Sequence, residues 1–168
     1  MIVYAIAAIA ENRAIGKNND LIWDLPDDMR FYKETTLNQV VMMGRRNYES
    51  TPYQYRPLPD RTSIVLTKEQ GYDSNGGLVF HAIEDALKFC EREGHESVFI
   101  IGGGQIYKLA LDKDLIDVMY ITRVHGSFEA DSFYPEFDES NWSREVIEDH
   151  PQDDKHDYSF SIEKWTKK

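Results

Sequence analysis

The sequence contains very little cysteine and no long apolar run. Cys90 is the single cysteine among 168 residues, which excludes an internal disulfide and predicts a reducing compartment, the cytoplasm. No apolar stretch approaches the roughly 20 residues that a membrane-spanning helix needs. The N-terminal residues MIVYAIAAIA end like a signal-peptide cleavage site but lack a basic leader. Their β-branched residues favour a buried strand, and we expect no membrane partner.

Positive charge is also scarce. The chain has 19 Lys and Arg against 30 Asp and Glu, a formal net charge of −11. Such a surface repels nucleic acid on average, and we expect no nucleic-acid partner. A phosphate-binding function would need its basic residues concentrated locally. Arg45 and Arg46 are adjacent, Arg56 and Arg61 flank a Pro-rich loop, and Lys68 follows a predicted strand.

Hydrophobic periodicity predicts an α/β fold in one domain, residues 1–168. One helix is predicted to begin at residue 26, a second, short helix is predicted to end at residue 50, and two more are predicted over 83–92 and 105–111. Strands are predicted over 2–10, 39–43, 63–67, 78–80, 98–101, 117–124 and 158–165. This alternation indicates a mostly parallel sheet of about eight strands with an antiparallel C-terminal edge, flanked by about four helices. Ligands on such sheets bind beyond the carboxyl ends of the strands. The segments that begin at Gly16, Gly44 and Gly102 are therefore expected to meet at one crevice.

The stretch from residue 14 to 36 contains an unusual acid. Pro26 suits the first position of a helix, and Asp28 follows in the first turn. On a 3.6-residue period Asp28 shares a face with Phe31, Tyr32 and Thr35, which predicts a partly buried carboxylate. An ordinary first-turn acid and a carboxylate that binds a ligand with paired N–H donors both fit this spacing.

Two strand-to-helix junctions are suited to phosphate. Glycines at 102–104 allow the backbone to approach a pyrophosphate at a helix N-terminus, although a plain tight turn fits equally well. Gly44, Arg45, Arg46 and Asn47 repeat this arrangement, although two adjacent arginines can also be a solvated surface pair.

Six motifs in order distinguish these alternatives. The run AIGKNNDLIWDLPDDMRFYKETT resembles the substrate loop of dihydrofolate reductase of the bacterial chromosomal type. The resemblance continues in MGRRNYES (43–50), RPLPDR (56–61), IIGGGQIY (100–107), YITRV (120–124) and ADSFYP (130–135), and so covers nearly the whole chain. It implies NADPH-dependent reduction of 7,8-dihydrofolate to tetrahydrofolate, with hydride transfer from nicotinamide C4 to pterin C6 and protonation at N5.

The resemblance also implies a set of substrate residues. Asp28 would anchor and tune the pterin, supported by Thr122, while the loop around Leu21 and Trp23 would gate the water that delivers the proton. Arg61 would bind the glutamate carboxylate of the substrate, because a planar fork pairs with carboxylates better than Lys does. Arg56 and Lys33 would assist from the rim. The apolar walls would be Ile6, Ala7, Tyr32, Leu58 and Ile101.

On the cofactor side, the resemblance places the 2′-phosphate of NADPH against Arg45, Arg46, Thr67 and Lys68. It implies a cis peptide between Gly102 and Gly103, and no metal. The remaining cofactor contacts would be Ala8, Ile15, Gly16, Asn19, Leu21, Gly44, Asn47, Leu66, His81, Ile101, Gly102, Gly103, Gly104, Gln105, Ile106 and Tyr107. Methotrexate and trimethoprim are expected ligands, and the protein is expected to be a monomer.

The chain departs from the family pattern at several positions. Ile22 replaces the proline before the tryptophan, Asn47 replaces a threonine, and His81 and Gln105 stand where relatives often carry basic residues. The segment 51–55 is longer than in the commonest bacterial form. Two other functions fit a related fold: a pyrimidine reductase of riboflavin synthesis, which would lack the Trp23–Asp28 pairing and the Arg61 site, and a nucleotide-binding module without catalysis.

Overall fold

A computed structural model describes residues 1–18 and 20–168 of the chain. The strands are β1 (Ile2–Ala10), β2 (Ala14–Gly16), β3 (Val40–Gly44), β4 (Thr62–Leu66), β5 (Leu78–Phe80), β6 (Ser97–Gly102), β7 (Val118–Val124), β8 (Ser132–Phe133), β9 (Trp142–His150) and β10 (Phe160–Lys167). The α-helices are α1 (Pro26–Thr36), α2 (Arg45–Ser50), α3 (Ile83–Arg92) and α4 (Gly104–Asp112). Short 3-10 turns cover Tyr53–Tyr55 and Glu139–Asn141.

Eight strands form one sheet in the order β5-β4-β3-β6-β1-β7-β10-β9, and β2 pairs with β8 separately. β1 runs parallel to β6 and β7, and β3 runs parallel to β4 and β6. β10 is antiparallel to both of its neighbours. The predicted fold class is confirmed. The nearly continuous apolar runs of the parallel strands arise because such strands are covered on both faces.

The edge of the sheet differs from the sequence prediction. The outermost strand is β9, which the sequence prediction missed, and β10 lies one position further in. Seven of the nine β9 residues are exposed, with the sequence WSREVIEDH. A solvated edge strand carries charges that discourage pairing with other chains, so it shows no clear apolar alternation. The β2–β8 pair was also missed, because each strand is only two or three residues long.

Helices α3 and α4 each bury one apolar face. α3 buries Ile83, Ala86 and Cys90, and α4 buries Tyr107 and Ala110. All five belong to one cluster with apolar residues of β1, β3 and β6. Burial raises the pKa of the Cys90 thiol to about 11. Within residues 1–18 and 20–168, the helices are too short and too polar to cross a bilayer.

Candidate active site

A cleft of about 1350 Å³ lies where the carboxyl ends of β3, β4 and β6 meet the first turn of α1. The segments that begin at Gly16, Gly44 and Gly102 all reach it, as their positions at strand ends predict. Its walls combine apolar side chains of the sheet with acidic, basic and glycine-rich segments. One cleft therefore contains the groups that two adjacent ligands would need.

Most of the predicted site residues line this cleft. They are Ile6, Ala7, Ala8, Ile15, Gly16, Leu21, Asp28, Tyr32, Gly44, Arg45, Arg46, Asn47, Leu58, Leu66, Thr67, Lys68, His81, Ile101, Gly102, Gly103, Gly104, Gln105, Ile106, Tyr107 and Thr122. Asn19 lies outside the described residues.

Four predicted residues do not line the cleft. Trp23 is 9% exposed and packs against Phe128, with the ring centroids 5.3 Å apart. Its ring thus holds the preceding loop segment onto the body of the protein, and Leu21 is the loop residue that faces the cleft. Arg56 and Lys33 also lie off the cleft wall.

Arg61 packs near the ring of Tyr32, which lines the cleft. Its guanidinium carbon lies 6.0 Å from the centroid of the Tyr32 ring, and Tyr32 faces the cleft. The guanidinium donates to Thr36 Oγ1 at 2.9 Å and to the carbonyls of Pro59 and Lys33. These bonds fix the plane of the guanidinium next to Tyr32.

Asp28 is half-buried in the first turn of α1. The Thr122 hydroxyl of β7 donates to Asp28 Oδ1 at 2.5 Å, and Thr122 is only 3% exposed. Burial raises the pKa of the Asp28 carboxyl group, and the Thr122 hydrogen bond opposes part of that increase. The structure thus confirms the predicted partial burial of this acid. A buried carboxylate with unused acceptor capacity is suited to a ligand that presents N–H donors.

The apolar wall next to Asp28 is made of the aromatic residues on its face of α1. Phe31 contacts the Tyr120 ring edge to face, with centroids 5.7 Å apart. Tyr32 is half-buried, and burial raises the pKa of its hydroxyl group while Arg61 opposes the increase. A flat heterocycle could therefore lie against ring surfaces while its polar edge reaches Asp28.

The glycine turn after β6 approaches the cleft without side chains. The Gly102–Gly103 peptide is cis, and Gly102 has φ +130°. A Cβ on Gly103 would meet no atom within 4 Å, whereas one on Gly104 would lie 2.7 Å from the carbonyl oxygen of Phe133. The glycine at 104 is thus required by packing. The open space above Gly103, at the start of α4, is suited to a phosphate group.

Two side chains support this turn. Asn47 Nδ2 donates to the carbonyl of Ile101 at 3.2 Å, so Asn47 holds the end of β6. The Tyr107 hydroxyl donates to the carbonyl of Ile6 at 2.6 Å and links α4 to β1. Both residues also line the cleft.

The basic end of the cleft is partly paired with acids. Arg45 lies 2.9 Å from Glu49 and 3.8 Å from Glu69. These exposed pairs are each worth about 1 kcal/mol or less, so a dianionic phosphate can replace the carboxylates. His81 Nδ1 lies 2.7 Å from the carbonyl oxygen of Thr67, which places the imidazole next to Lys68 at the end of β4.

The cleft also contains residues that the sequence prediction missed. Met29, Phe31, Met43, Asp131 and Ser132 all line it. Phe31 was detectable, because it shares the helical face of Asp28, and Met43 was detectable as the residue before the Gly44 turn. Asp131 and Ser132 belong to the ADSFYP motif, but the motif assigned them no role; the pairing of β8 with β2 places this segment beside Gly16 and the cleft.

The comparisons with known proteins agree with this geometry. The family model for dihydrofolate reductase matches residues 2–167. A dihydrofolate reductase of Bacillus subtilis is 39% identical over 166 residues, 97% of this chain and 93% of the relative. That of Staphylococcus haemolyticus is 37% identical over 155 residues, 92% and 89% of the two chains. The solved structure of a dihydrofolate reductase from Enterococcus faecalis, complexed with NADP(H) and RAB-propyl, superposes with a TM-score of 0.87 at 36% identity and covers 99% of this chain and 96% of its own. The chain belongs to the dihydrofolate reductase family.

Proposed function

We propose that the chain reduces 7,8-dihydrofolate to 5,6,7,8-tetrahydrofolate with NADPH, a step of one-carbon metabolism. The observation that carries the proposal is the half-buried Asp28 carboxylate, held by Thr122 in the same cleft as the glycine turn of β6. The reaction adds a hydride to C6 of the pterin and a proton to N5. When bound, NADPH supplies the hydride from nicotinamide C4.

Asp28 binds and orients the pterin in this proposal. Its carboxylate accepts hydrogen bonds from the ring N–H and the 2-amino group, and Thr122 fixes the carboxylate through Oδ1. Because the site is poorly solvated, the negative charge also favours the protonated pterin electrostatically. Asp28 is therefore an anchor and an electrostatic group, and a water molecule delivers the proton to N5.

The loop before α1 controls that water. Leu21 is 59% exposed and lines the cleft, so it can cover bound ligands, while buried Trp23 anchors the loop. Limiting bulk water while one donor enters is the function of such a lid. Ile22, which stands where relatives have proline, leaves this segment with more backbone freedom.

The cofactor lies along the glycine turn and the ends of β3 and β4. The open space at Gly103 receives the pyrophosphate, and the 2′-phosphate is bound by Arg45, Arg46, Thr67 and Lys68. These cations favour the phosphorylated cofactor, because NADH would leave them without an anionic partner. The phosphate-binding region is less basic than in many relatives, because it contains Asn47, His81 and Gln105.

The glutamate tail of the substrate extends toward Arg61. Its guanidinium plane, fixed by Thr36 and by backbone carbonyls, is matched to a carboxylate. Arg56 and Lys33, which lie off the cleft wall, would add only long-range positive charge. Methotrexate and trimethoprim are expected to occupy the substrate half of the cleft. We further propose that residues 1–168 act as one domain, as a monomer in the cytoplasm.

The direct test is the loss of NADPH absorbance when dihydrofolate is added, repeated with methotrexate. The proposal predicts oxidation that needs dihydrofolate and stops with the inhibitor. A pyrimidine reductase would instead oxidise NADPH with a ribosylated pyrimidine, and a non-catalytic module would bind NADPH without oxidising it. The family membership of the chain favours the first outcome over both alternatives.

A further inference from the structure

Helix α1, which carries Asp28, is capped by a residue from the other end of the chain. Its N-cap residue is Leu25, whose side chain offers no acceptor, and Pro26 at the first helical position has no N–H. The next N–H, that of Asp27, donates to Nε2 of His156 at 3.1 Å. This imidazole occupies the place that a Ser or Asp side chain takes in an ordinary cap.

A hydrogen bond to Asp153 fixes the tautomer of His156 in which Nε2 can accept the Asp27 N–H. His156 is 2% exposed, and its Nδ1 lies 2.8 Å from Asp153 Oδ1, which can only accept. Nδ1 therefore carries the proton, and Nε2 presents its lone pair to the Asp27 N–H. The β9–β10 connection thus supplies a neutral acceptor that is orientated by its own carboxylate.

A second histidine holds the Asp27 side chain. His150 Nε2 lies 2.7 Å from Asp27 Oδ2, and His150 Nδ1 lies 2.7 Å from the Pro151 carbonyl oxygen. Both neighbours accept hydrogen bonds, so both ring nitrogens carry protons. The ring stacks on buried Phe160 with centroids 4.7 Å apart and planes 6° from parallel. The other Asp27 oxygen pairs with Arg30 at 2.9 Å.

These contacts distinguish the cluster from a metal centre. Within the described part of the chain, ligand-type atoms of Asp27, His150 and His156 lie within 4.8 Å of one another. However, the Nε2 lone pair of His156 accepts the Asp27 backbone N–H and is not free for a metal. His150 offers no lone pair either, because both of its ring nitrogens donate hydrogen bonds. The cluster is satisfied by hydrogen bonds within the protein.

We infer that His156, assisted by His150, is a positioning residue that fixes the first turn of α1 and thereby the orientation of Asp28. Asp28 directly follows the residue that both imidazoles hold, and Thr122 of β7 holds Asp28 from its other side. The catalytic part of this inference rests on the proposed role of Asp28, whereas the capping part does not.

Amide hydrogen exchange tests the capping part. In wild type, the Asp27 amide is expected to exchange more slowly than first-turn amides usually do, because its N–H is hydrogen-bonded to His156. In His156→Leu, which keeps the side-chain volume but removes the acceptor, exchange is at least about tenfold faster. His156→Gln, which restores an acceptor oxygen, retains most of the protection. His125→Gln is the matched control, because His125 bonds to Ser159 and Ser161 and not to α1. Fast wild-type exchange, or equal protection in His156→Leu, overturns the cap.

Nitrogen-15 spectra of the imidazoles test it without any substitution, so an unstable variant cannot hide the answer. His156 is expected to show a protonated Nδ1 and an unprotonated Nε2 at neutral pH. A protonated Nε2 on His156 would contradict the inference outright, because that nitrogen could not accept the Asp27 N–H.

Kinetics test the positioning part. His156→Leu is expected to lower kcat/KM for dihydrofolate about three- to tenfold, because small displacements of an anchor are costly, while KM for NADPH stays unchanged. The apparent pKa in the pH profile of kcat/KM for His156→Leu is expected to move toward that of a solvated carboxyl group. His156→Gln is expected to restore both kcat/KM and this apparent pKa. Faster Asp27 exchange with an unaltered pH profile would overturn positioning. Wild type without reductase activity would instead contradict the proposed function and leave the exchange result standing.

Discussion

Replacing Asp28 with asparagine separates the electrostatic role of this residue from its packing. The substitution keeps the volume of the side chain and leaves an Oδ1 that can still accept the Thr122 hydroxyl hydrogen bond. It removes the negative charge and replaces one acceptor oxygen with a donor. The paired N–H groups of the pterin then lose one acceptor, and the NH₂ group of the asparagine side chain points donor hydrogens at them.

The expected loss of activity is large. Removing one preorganised electrostatic group from a poorly solvated site costs about 10²–10³-fold in rate, so kcat/KM for dihydrofolate should fall by about that factor at neutral pH. The loss should shrink at acidic pH, where the substrate arrives already protonated.

Stability is expected to change in the opposite direction. Burial raises the pKa of Asp28 above its ordinary value of 3.8, so the folded state binds more protons than the unfolded chain between those two pKa values. The free energy of unfolding therefore falls as pH rises through that interval. At neutral pH, Asp28→Asn should be more stable by about 1.4 kcal/mol for each pKa unit of the increase. The advantage should vanish below the unfolded-state pKa.

The assay combines steady-state NADPH oxidation with urea unfolding across pH. Asp24→Asn is the matched control, because Asp24 is an exposed acid of the same segment and should change neither quantity appreciably. Wild-type turnover by Asp28→Asn at neutral pH would refute the anchoring role. The stability advantage of Asp28→Asn over wild type is expected to be larger at neutral pH than at acidic pH. A smaller advantage at neutral pH would refute the claim that burial raises the pKa of Asp28.

Three further sets of substitutions test the rest of the site. Arg45→Ala with Lys68→Ala should raise KM for NADPH and spare NADH; equal losses with both cofactors would contradict the 2′-phosphate assignment. Arg61→Lys should raise KM for dihydrofolate about tenfold or more with kcat little changed, because Lys cannot provide the planar fork; unchanged KM would exclude Arg61 from tail binding. Gly103→Ala should raise KM for NADPH with little change in the unfolding temperature, whereas Gly104→Ala should lower the unfolding temperature. The reason is that a Cβ at position 104 would lie 2.7 Å from the Phe133 carbonyl oxygen, while a Cβ at position 103 meets no atom within 4 Å. Equal unfolding temperatures of the two variants would contradict this contrast.

The strands that could be predicted from the sequence are those whose burial leaves a local pattern. β1, with the sequence IVYAIAAIA, is covered on both faces and so is apolar at nearly every position. β9 has its structure imposed by its neighbour β10, and its exposed, charged residues carry no such pattern. The β9–β10 register, which brings His150 to α1, was therefore beyond local reasoning.

The same distinction applies to the site. Helical periodicity placed Asp28 beside Phe31 and Tyr32, and this arrangement is observed. Its partner Thr122 lies 94 positions away, and only the family resemblance connected the two residues before the structure did. The His156 cap, 129 positions from Asp27, belongs to no motif identified in the sequence. Contacts between distant segments depend on the tertiary fold, which short-range spacing does not encode.

The most direct measurement of the central claim is a crystal structure of the chain with folate and oxidised NADP. We expect both Asp28 oxygens to lie within hydrogen-bonding distance of the pterin nitrogens or Thr122, with the nicotinamide ring over the same pterin and the pyrophosphate at Gly103. An Asp28 carboxylate directed to solvent, away from the pterin, would contradict it.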